Sequence, residues 1–343
     1  MARHDQIYRN DTSPVSSFDP LTRKLHHMKA VYLDETGLSV RDDLESPTLQ
    51  SDEVLVEVLK AGICETDLQL VKGYMGFQGI LGHEFVGIAK TGPYTGKRVV
   101  GEINCHCRQC VYCKSGLGNH CPDRTVLGIL NHDGAFAELI AVPQVNLHTI
   151  PDSLSDDHAT FVEPVAAAYR LQEQLALSGD ETIVVLGDGR LGNLCAQVLK
   201  LAGCEQLLVV GKHPEKLAVL RELGVQTVTL KQVEKKNQAD IVVDCTGSPT
   251  GLPLALELVK PCGTVIMKTT VAGEHQLSMA PLVIDEVTLI GSRCGPFEPA
   301  IAALAEEKVI VEPLIGGRYP LEEAPLAMVK AASPGTFKIL LEP

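Results

Sequence analysis

The sequence predicts an α/β protein, with a doubly wound parallel sheet joined to a β-rich region. Three observations predict it. From about residue 165 onward, short apolar runs alternate with helix-like stretches. Strands that are apolar on both sides belong in a parallel sheet covered on both faces. A glycine turn, Gly187-Asp188-Gly189-Arg190-Leu191-Gly192, stands at the first of those strand-to-helix junctions. Before residue 164 the chain has short alternating runs punctuated by Gly62, Gly73, Gly76, Gly79, Gly82 and Gly87, which reads as irregular β structure. At 343 residues the chain has room for two cores.

The elements follow in order. Residues 1–27 are polar and carry Pro14 and Pro20 without an apolar stretch, so a disordered extension is expected there. Asp5, Asp11 and Asp19 argue against a transit peptide. Met28 opens a strand-like run and is the expected natural start. Val54, Val56 and Val58 fall at every second position of the next run, the period of a strand. In the second half, residues 182–186, 207–210, 241–243 and 264–267 read as strands. Residues 191–201, 214–223 and 252–259 read as the helices between them. Residues 299–307 look helical, and 337–341 form a last strand expected to return to the first region. The expected division is 28–164 with 295–343 in one domain and 165–294 in the other.

Charge and composition exclude some functions. The net charge is -13, and an acidic chain has no general attraction for phosphate backbones, so no nucleic-acid partner is expected. No apolar run is long enough to span a bilayer, and no membrane association is expected. Of the eleven cysteines, four form one cluster and the rest are scattered through apolar segments. With no secretory signal ahead of them, reduced thiols in a cytoplasmic setting are expected.

Two local motifs carry chemistry. Cys107, Cys110, Cys113 and Cys121 have the spacing of a tetrahedral zinc site filled entirely by protein, hence a structural one. The glycine turn follows a strand and opens a helix, the context in which G-x-G-x-x-G binds a dinucleotide. Gly187 permits the tight turn, Gly189 lets the pyrophosphate approach and Gly192 lets helix and strand pack. Arg190 and Leu191 enter the helix whose N-terminus faces the phosphates. NAD sites usually carry an acid about 20 residues further on, bound to the ribose. Here that strand ends in Gly211-Lys212-His213. With no carboxylate, and with Lys212 and His213 available to a 2′-phosphate, NADP is favoured over NAD.

A third set is dispersed: Cys64 in Gly-Ile-Cys-Glu-Thr-Asp, His83-Glu84 after Gly82, and Glu163-Pro164. Together with the four-cysteine lobe, Asp133-Gly134-Ala135-Phe136-Ala137-Glu138, the glycine turn and the run from Val243 to Pro249, they resemble the zinc-dependent medium-chain alcohol dehydrogenases over nearly all of residues 28–343. The resemblance implies a Rossmann cofactor domain and a GroES-like catalytic domain. It implies two zinc ions per chain, NADP or NAD as cofactor, a small alcohol or carbonyl substrate, and a homodimer or homotetramer.

The resemblance also implies roles. Cys64 and His83 match two ligands of the catalytic zinc. Glu163 matches the third, in the manner of the polyol and threonine dehydrogenase branch, and Glu84 matches a carboxylate that sits behind the metal or moves onto it. Thr66 matches the hydroxyl that receives the alcohol proton. Lys338 matches a basic position near the cofactor phosphates and Asp67. Two departures stand out: Gln69 occupies the place of a relay histidine and cannot carry a proton, and Glu65 stands where some members have arginine. A secondary alcohol, polyol or amino-alcohol dehydrogenase is the expected function. A zinc-free quinone or enoyl reductase, or a non-catalytic dinucleotide-binding protein, would leave Cys64, His83 and Glu163 without a use.

Overall fold

Every residue of strand Ile183–Leu186 is buried, and alternate side chains enter different cores. Ile183 and Val185 join Val209, Ile241, Val243 and Ile266, whereas Val184 and Leu186 join Val210, Val242 and Val265. A two-residue period with no polar face is what burial on both sides requires. The resulting sheet has six strands, paired in parallel. Their order is Gln226–Thr229, Leu207–Gly211, Ile183–Leu186, Ala239–Asp244, Val259–Met267 and Thr288–Gly291. Counted along the chain this is the doubly wound order, which reverses beside Ile183–Leu186 and opens a crevice at the strands' carboxyl ends.

Helices Arg190–Leu201, Pro214–Glu222 and Gly251–Leu258 form crossovers within a residue or two of the expected positions. Helix Val162–Gln174 packs on Arg190–Leu201 and on Phe297–Ala305. Phe297, Ala300 and Leu304 share the core that covers one face of the parallel sheet.

The computed structural model describes residues 27–234, 237–268 and 277–343. The expected disordered extension therefore lies outside the described residues, except that His27 already belongs to strand His27–Asp34. In the β-rich region, Val54, Val56 and Val58 are the buried positions of strand Glu53–Gly62, as their alternation predicts. They pack with Leu68, Leu81, Phe136 and Ile339. Strand Glu53–Gly62 lies near the middle of a seven-stranded sheet. The last strand, Lys338–Glu342, does return to it, pairing antiparallel through Leu340 with Gly62 and Leu341 with Ala61. That return carries Lys338 from the end of the chain to the strand that leads into Cys64. Among the described residues, no helix is long and apolar enough to cross a membrane.

Candidate active site

Cys64 is fixed by the turn that follows strand Glu53–Gly62. Helix Glu65–Val71 begins immediately after it, and Asp67 reaches back so that its Oδ2 accepts the Cys64 backbone N–H at 2.7 Å. This reciprocal cap sets the direction of the thiol. The other oxygen, Oδ1, lies 3.3 Å from His83 Nδ1, an ion-pair contact outside hydrogen-bond geometry. Asp67 is fully buried, so one carboxylate orients both Cys64 and His83 and leaves His83 Nε2 free to face a ligand. Burial alone would lower the His83 pKa. The Asp67 carboxylate and the Cys64 thiolate outweigh it and hold the imidazole well above its ordinary value. A proton held there offsets the same negative charge that a bound cation would neutralise.

Donor atoms of Cys64, His83 and Glu84 lie within 4.8 Å of one another. Thiolate, imidazole and carboxylate are a zinc ligand set, and three of them leave a position for substrate. Glu84 is also ion-paired with Lys338, and both side chains are 1% exposed. The Lys338 ammonium stands 5.6 Å above the Phe161 ring. The family resemblance implies that Lys338 lies near Asp67 and the cofactor phosphates. The strand pairing through Leu340 and Leu341 brings its ammonium onto Glu84, in the cleft that Gly189 and Arg190 also line. Glu163 opens helix Val162–Gln174 and is not in the close group with Cys64 and His83. Burial, then the neighbouring Glu84 carboxylate, pushes its pKa up to about 7 against the pull of His83, Lys338 and Lys268.

Cys64, His83, Glu84, Glu163 and Lys338 line a cleft of about 750 Å³ that Gly189, Arg190, Leu191 and His213 also line. The glycine turn suits a dinucleotide. Gly187 has φ +111°, and a Cβ there would lie 2.7 Å from the Cys245 carbonyl oxygen. A Cβ on Gly192 would strike the Gly187 carbonyl, whereas one on Gly189 would meet nothing within 4 Å. The open position is the one a pyrophosphate needs, and it stands at the start of helix Arg190–Leu201. Arg190 donates to the Phe337 carbonyl at 3.2 Å. Lys212 is exposed and does not line the cleft. Thr66 and Gln69 do line it, but the Gln69 amide is tied to Glu65 Oε1 at 2.8 Å.

The second cluster lies in a separate lobe. The Sγ separations among Cys107, Cys110, Cys113 and Cys121 include 3.4, 3.5, 3.8 and 4.0 Å. A tetrahedron of sulfurs about 2.3 Å from a zinc ion has edges of about 3.8 Å, so the cage has the size of the ion. The same distances are far longer than a disulfide. Backbone N–H groups of Gln109 and Cys110 bring the Cys107 thiol down to about 7. Burial and the neighbouring sulfurs push Cys113 up to about 12. Four thiols so close do not all ionise without a cation among them.

Comparison with known proteins agrees with both halves of this geometry. Residues 50–152 match the family model of the alcohol dehydrogenase GroES-like domain, and residues 191–307 match that of the zinc-binding dehydrogenases. The chain belongs to the zinc-dependent medium-chain dehydrogenases. Sorbitol dehydrogenase of Halalkalibacterium halodurans is 28% identical to this dehydrogenase over 332 residues, or 90% of this chain and 96% of its own. A zinc-binding dehydrogenase from Sinorhizobium meliloti 1021, bound to NADP, superposes with a TM-score of 0.83 at 28% identity, covering 92% of this chain and 99% of its own. A short chain alcohol dehydrogenase from E. coli CFT073, complexed with NADH, gives 0.84 at 25% identity, covering 93% and 100%. The reaction of this dehydrogenase is hydride transfer between an alcohol and a nicotinamide dinucleotide.

Two residues of the dehydrogenase site escaped sequence reasoning. Asp67 sits within a quoted motif, yet its double role depends on His83, brought close only by folding. Asp188 is an unconstrained position of G-x-G-x-x-G, but its carboxylate is buried and accepts three hydrogen bonds from residues 212 and 213. No spacing rule signals either contact.

Proposed function

We propose that Cys64, His83 and Glu84 hold the catalytic zinc, with Glu163 holding a water beside it. We further propose that Cys107, Cys110, Cys113 and Cys121 hold a structural zinc, making two per chain. The observation that carries this reading is the convergence of three zinc-type donors in the same cleft as the glycine turn. The sequence leaves Glu163 to bind the metal or to hold a water on it, with Glu84 as the alternative carboxylate. The 4.8 Å grouping of Cys64, His83 and Glu84 supports Glu84 as the direct ligand and the water-holding role for Glu163.

When bound, the zinc lowers the pKa of an alcohol hydroxyl and the nicotinamide accepts the hydride. The chain's own residues do the rest. Asp67 fixes the Cys64 thiol and the His83 ring. Lys338 holds Glu84 in place through their buried ion pair. Thr66 Oγ1, 3.8 Å from Cys64 Sγ, receives the alcohol proton. Gln69 is an amide tied to Glu65 and cannot pass it on, so the proton would leave Thr66 Oγ1 toward the cleft that Thr66 lines. Gly189, Arg190 and Leu191 receive the pyrophosphate, and His213 faces the adenosine end.

We assign residues 28–164 and 295–343 to metal and substrate, and 165–294 to the dinucleotide. A homodimer or homotetramer is supported by exposed Leu289 on the edge strand Thr288–Gly291 and by exposed Val283 and Ile284 beside it. A cytoplasmic setting is supported by the cysteines, all eleven of which are free thiols.

Metal content measured beside steady-state rates tests the ligand set. The parent is expected to hold about two zinc per chain. Glu84→Ala is expected to lose the catalytic ion and activity, whereas Glu163→Ala keeps both ions with a lowered kcat. If Glu163→Ala lost the ion and Glu84→Ala kept it, the two roles would be exchanged.

A further inference from the structure

We infer that Asp188, from the glycine turn, takes over the role of the missing strand-end acid and makes the enzyme select NAD over NADP. This rests on the dinucleotide reading of the cleft and deepens it by naming the residue that sets cofactor choice.

The argument for NADP from sequence is that strand Leu207–Gly211 ends without a carboxylate. In the fold a carboxylate is there. Strands Ile183–Leu186 and Leu207–Gly211 are parallel neighbours, Leu186 opposite Val210. The turn after the first crosses the end of the second, with Gly187 N–H donating to the Val210 carbonyl at 2.9 Å. Asp188, the next residue, therefore projects over Gly211. A Cβ on Gly211 would lie 2.5 Å from Asp188 Cβ and 2.7 Å from its Cγ. Glycine at 211 is thus the complement of aspartate at 188: the acid occupies the space into which a side chain at 211 would extend.

Asp188 is also committed. Its Oδ2 accepts the backbone N–H groups of Lys212 and His213, each at 2.6 Å. Its Oδ1 accepts from His213 Nδ1 at 3.0 Å. These are donors that a ribose 2′-phosphate at this strand end would need, two of them just before helix Pro214–Glu222. A 2′-phosphate would have to displace a buried carboxylate while bringing more negative charge beside it. A ribose hydroxyl need not. His213, held against Asp188 through Nδ1, lines the cleft. A buried anion that already takes up the local amides leaves room for a hydroxyl; it opposes a phosphate dianion. Asp188 acts through His213 and the two amides, so it is a positioning residue.

The test is equilibrium binding of NADH and NADPH, read by the fluorescence of the reduced nicotinamide. The chain has no tryptophan to interfere. The parent is expected to bind NADH on the order of tenfold or more tighter than NADPH. Asp188→Ser, which frees the amides and removes the charge, is expected to move the ratio toward NADPH by a similar factor. Asp188→Asn keeps the shape and is expected to fall between, which guards against misreading a folding defect. A parent that binds NADPH as tightly as NADH overturns the inference. So does Asp188→Ser weakening both by one factor, the mark of a purely structural role. Binding of neither dinucleotide would overturn the reading of the cleft itself.

Discussion

Lys338→Met should be far more damaging than the loss of an ordinary lysine. Its ammonium and the Glu84 carboxylate are both 1% exposed and ion-paired. Removing the cation leaves the buried Glu84 carboxyl without its partner and close to Glu163, a half-buried carboxyl already pushed up to about 7. Breaking a buried pair from one side typically costs about 3–5 kcal/mol. The contact with the Phe161 ring adds up to about 1 kcal/mol. Removing both charges together leaves no orphan, so Lys338→Met/Glu84→Gln should return to within about 2 kcal/mol of the parent. The assay is urea denaturation followed by circular dichroism, run with a chelator and again with zinc. In chelator the single variant should show the full loss. With zinc the loss should shrink, because a dication held by Glu84 replaces the missing ammonium. The reasoning is refuted if Lys338→Met in chelator unfolds with the parent, or if the double variant is as unstable as the two single losses added together.

Two further perturbations test other parts of the structure. Cys110→Ser removes one corner of the sulfur cage; since four-ligand zinc sites contribute about 10–16 kcal/mol of apparent binding energy, it should lower the melting temperature and take zinc from about two to about one per chain, while NADH binding persists. A variant with parental melting and metal content would remove the structural site. Asp157 bonds Lys60 and Arg318; burial would raise its pKa, but those two cations outweigh burial and hold it below the usual carboxylate range. The stabilisation it gives is therefore present above the unfolded carboxylate range and is lost as pH falls through the lowered folded value. Asp157→Asn should cost about 1 kcal/mol at neutral pH, with the two melting curves converging in acid. A gap that stays constant with pH would show that its charge contributes nothing.

Local chemistry was legible without the fold. Cys107, Cys110, Cys113 and Cys121 span so short a stretch that their spacing by itself marks them as one set of metal-type ligands. The glycine turn is similar, because its strand, turn and helix are contiguous and each glycine answers a local steric demand. Strands buried on both faces declare themselves by unbroken apolar runs, so Ile183–Leu186 and Ala239–Asp244 were readable. Strand Gln226–Thr229, which has no fully buried residue, carried no such signal, and helix Val162–Gln174 was not marked out.

Long-range pairings were decided only by the tertiary structure. Lys338 meets Glu84 across 254 positions because the final strand pairs with Glu53–Gly62, a register no local pattern encodes. Asp67 reaches His83 because strand Glu53–Gly62, which leads into Cys64, pairs with strand Glu84–Ala89, setting Gly62 opposite Glu84. The absence of a carboxylate at residue 211 is a true statement about the sequence. In the folded chain the neighbouring turn lies over that strand end and supplies one in Asp188. Sequence position records which groups a chain carries; charge compensation and steric exclusion act between groups that only folding makes neighbours.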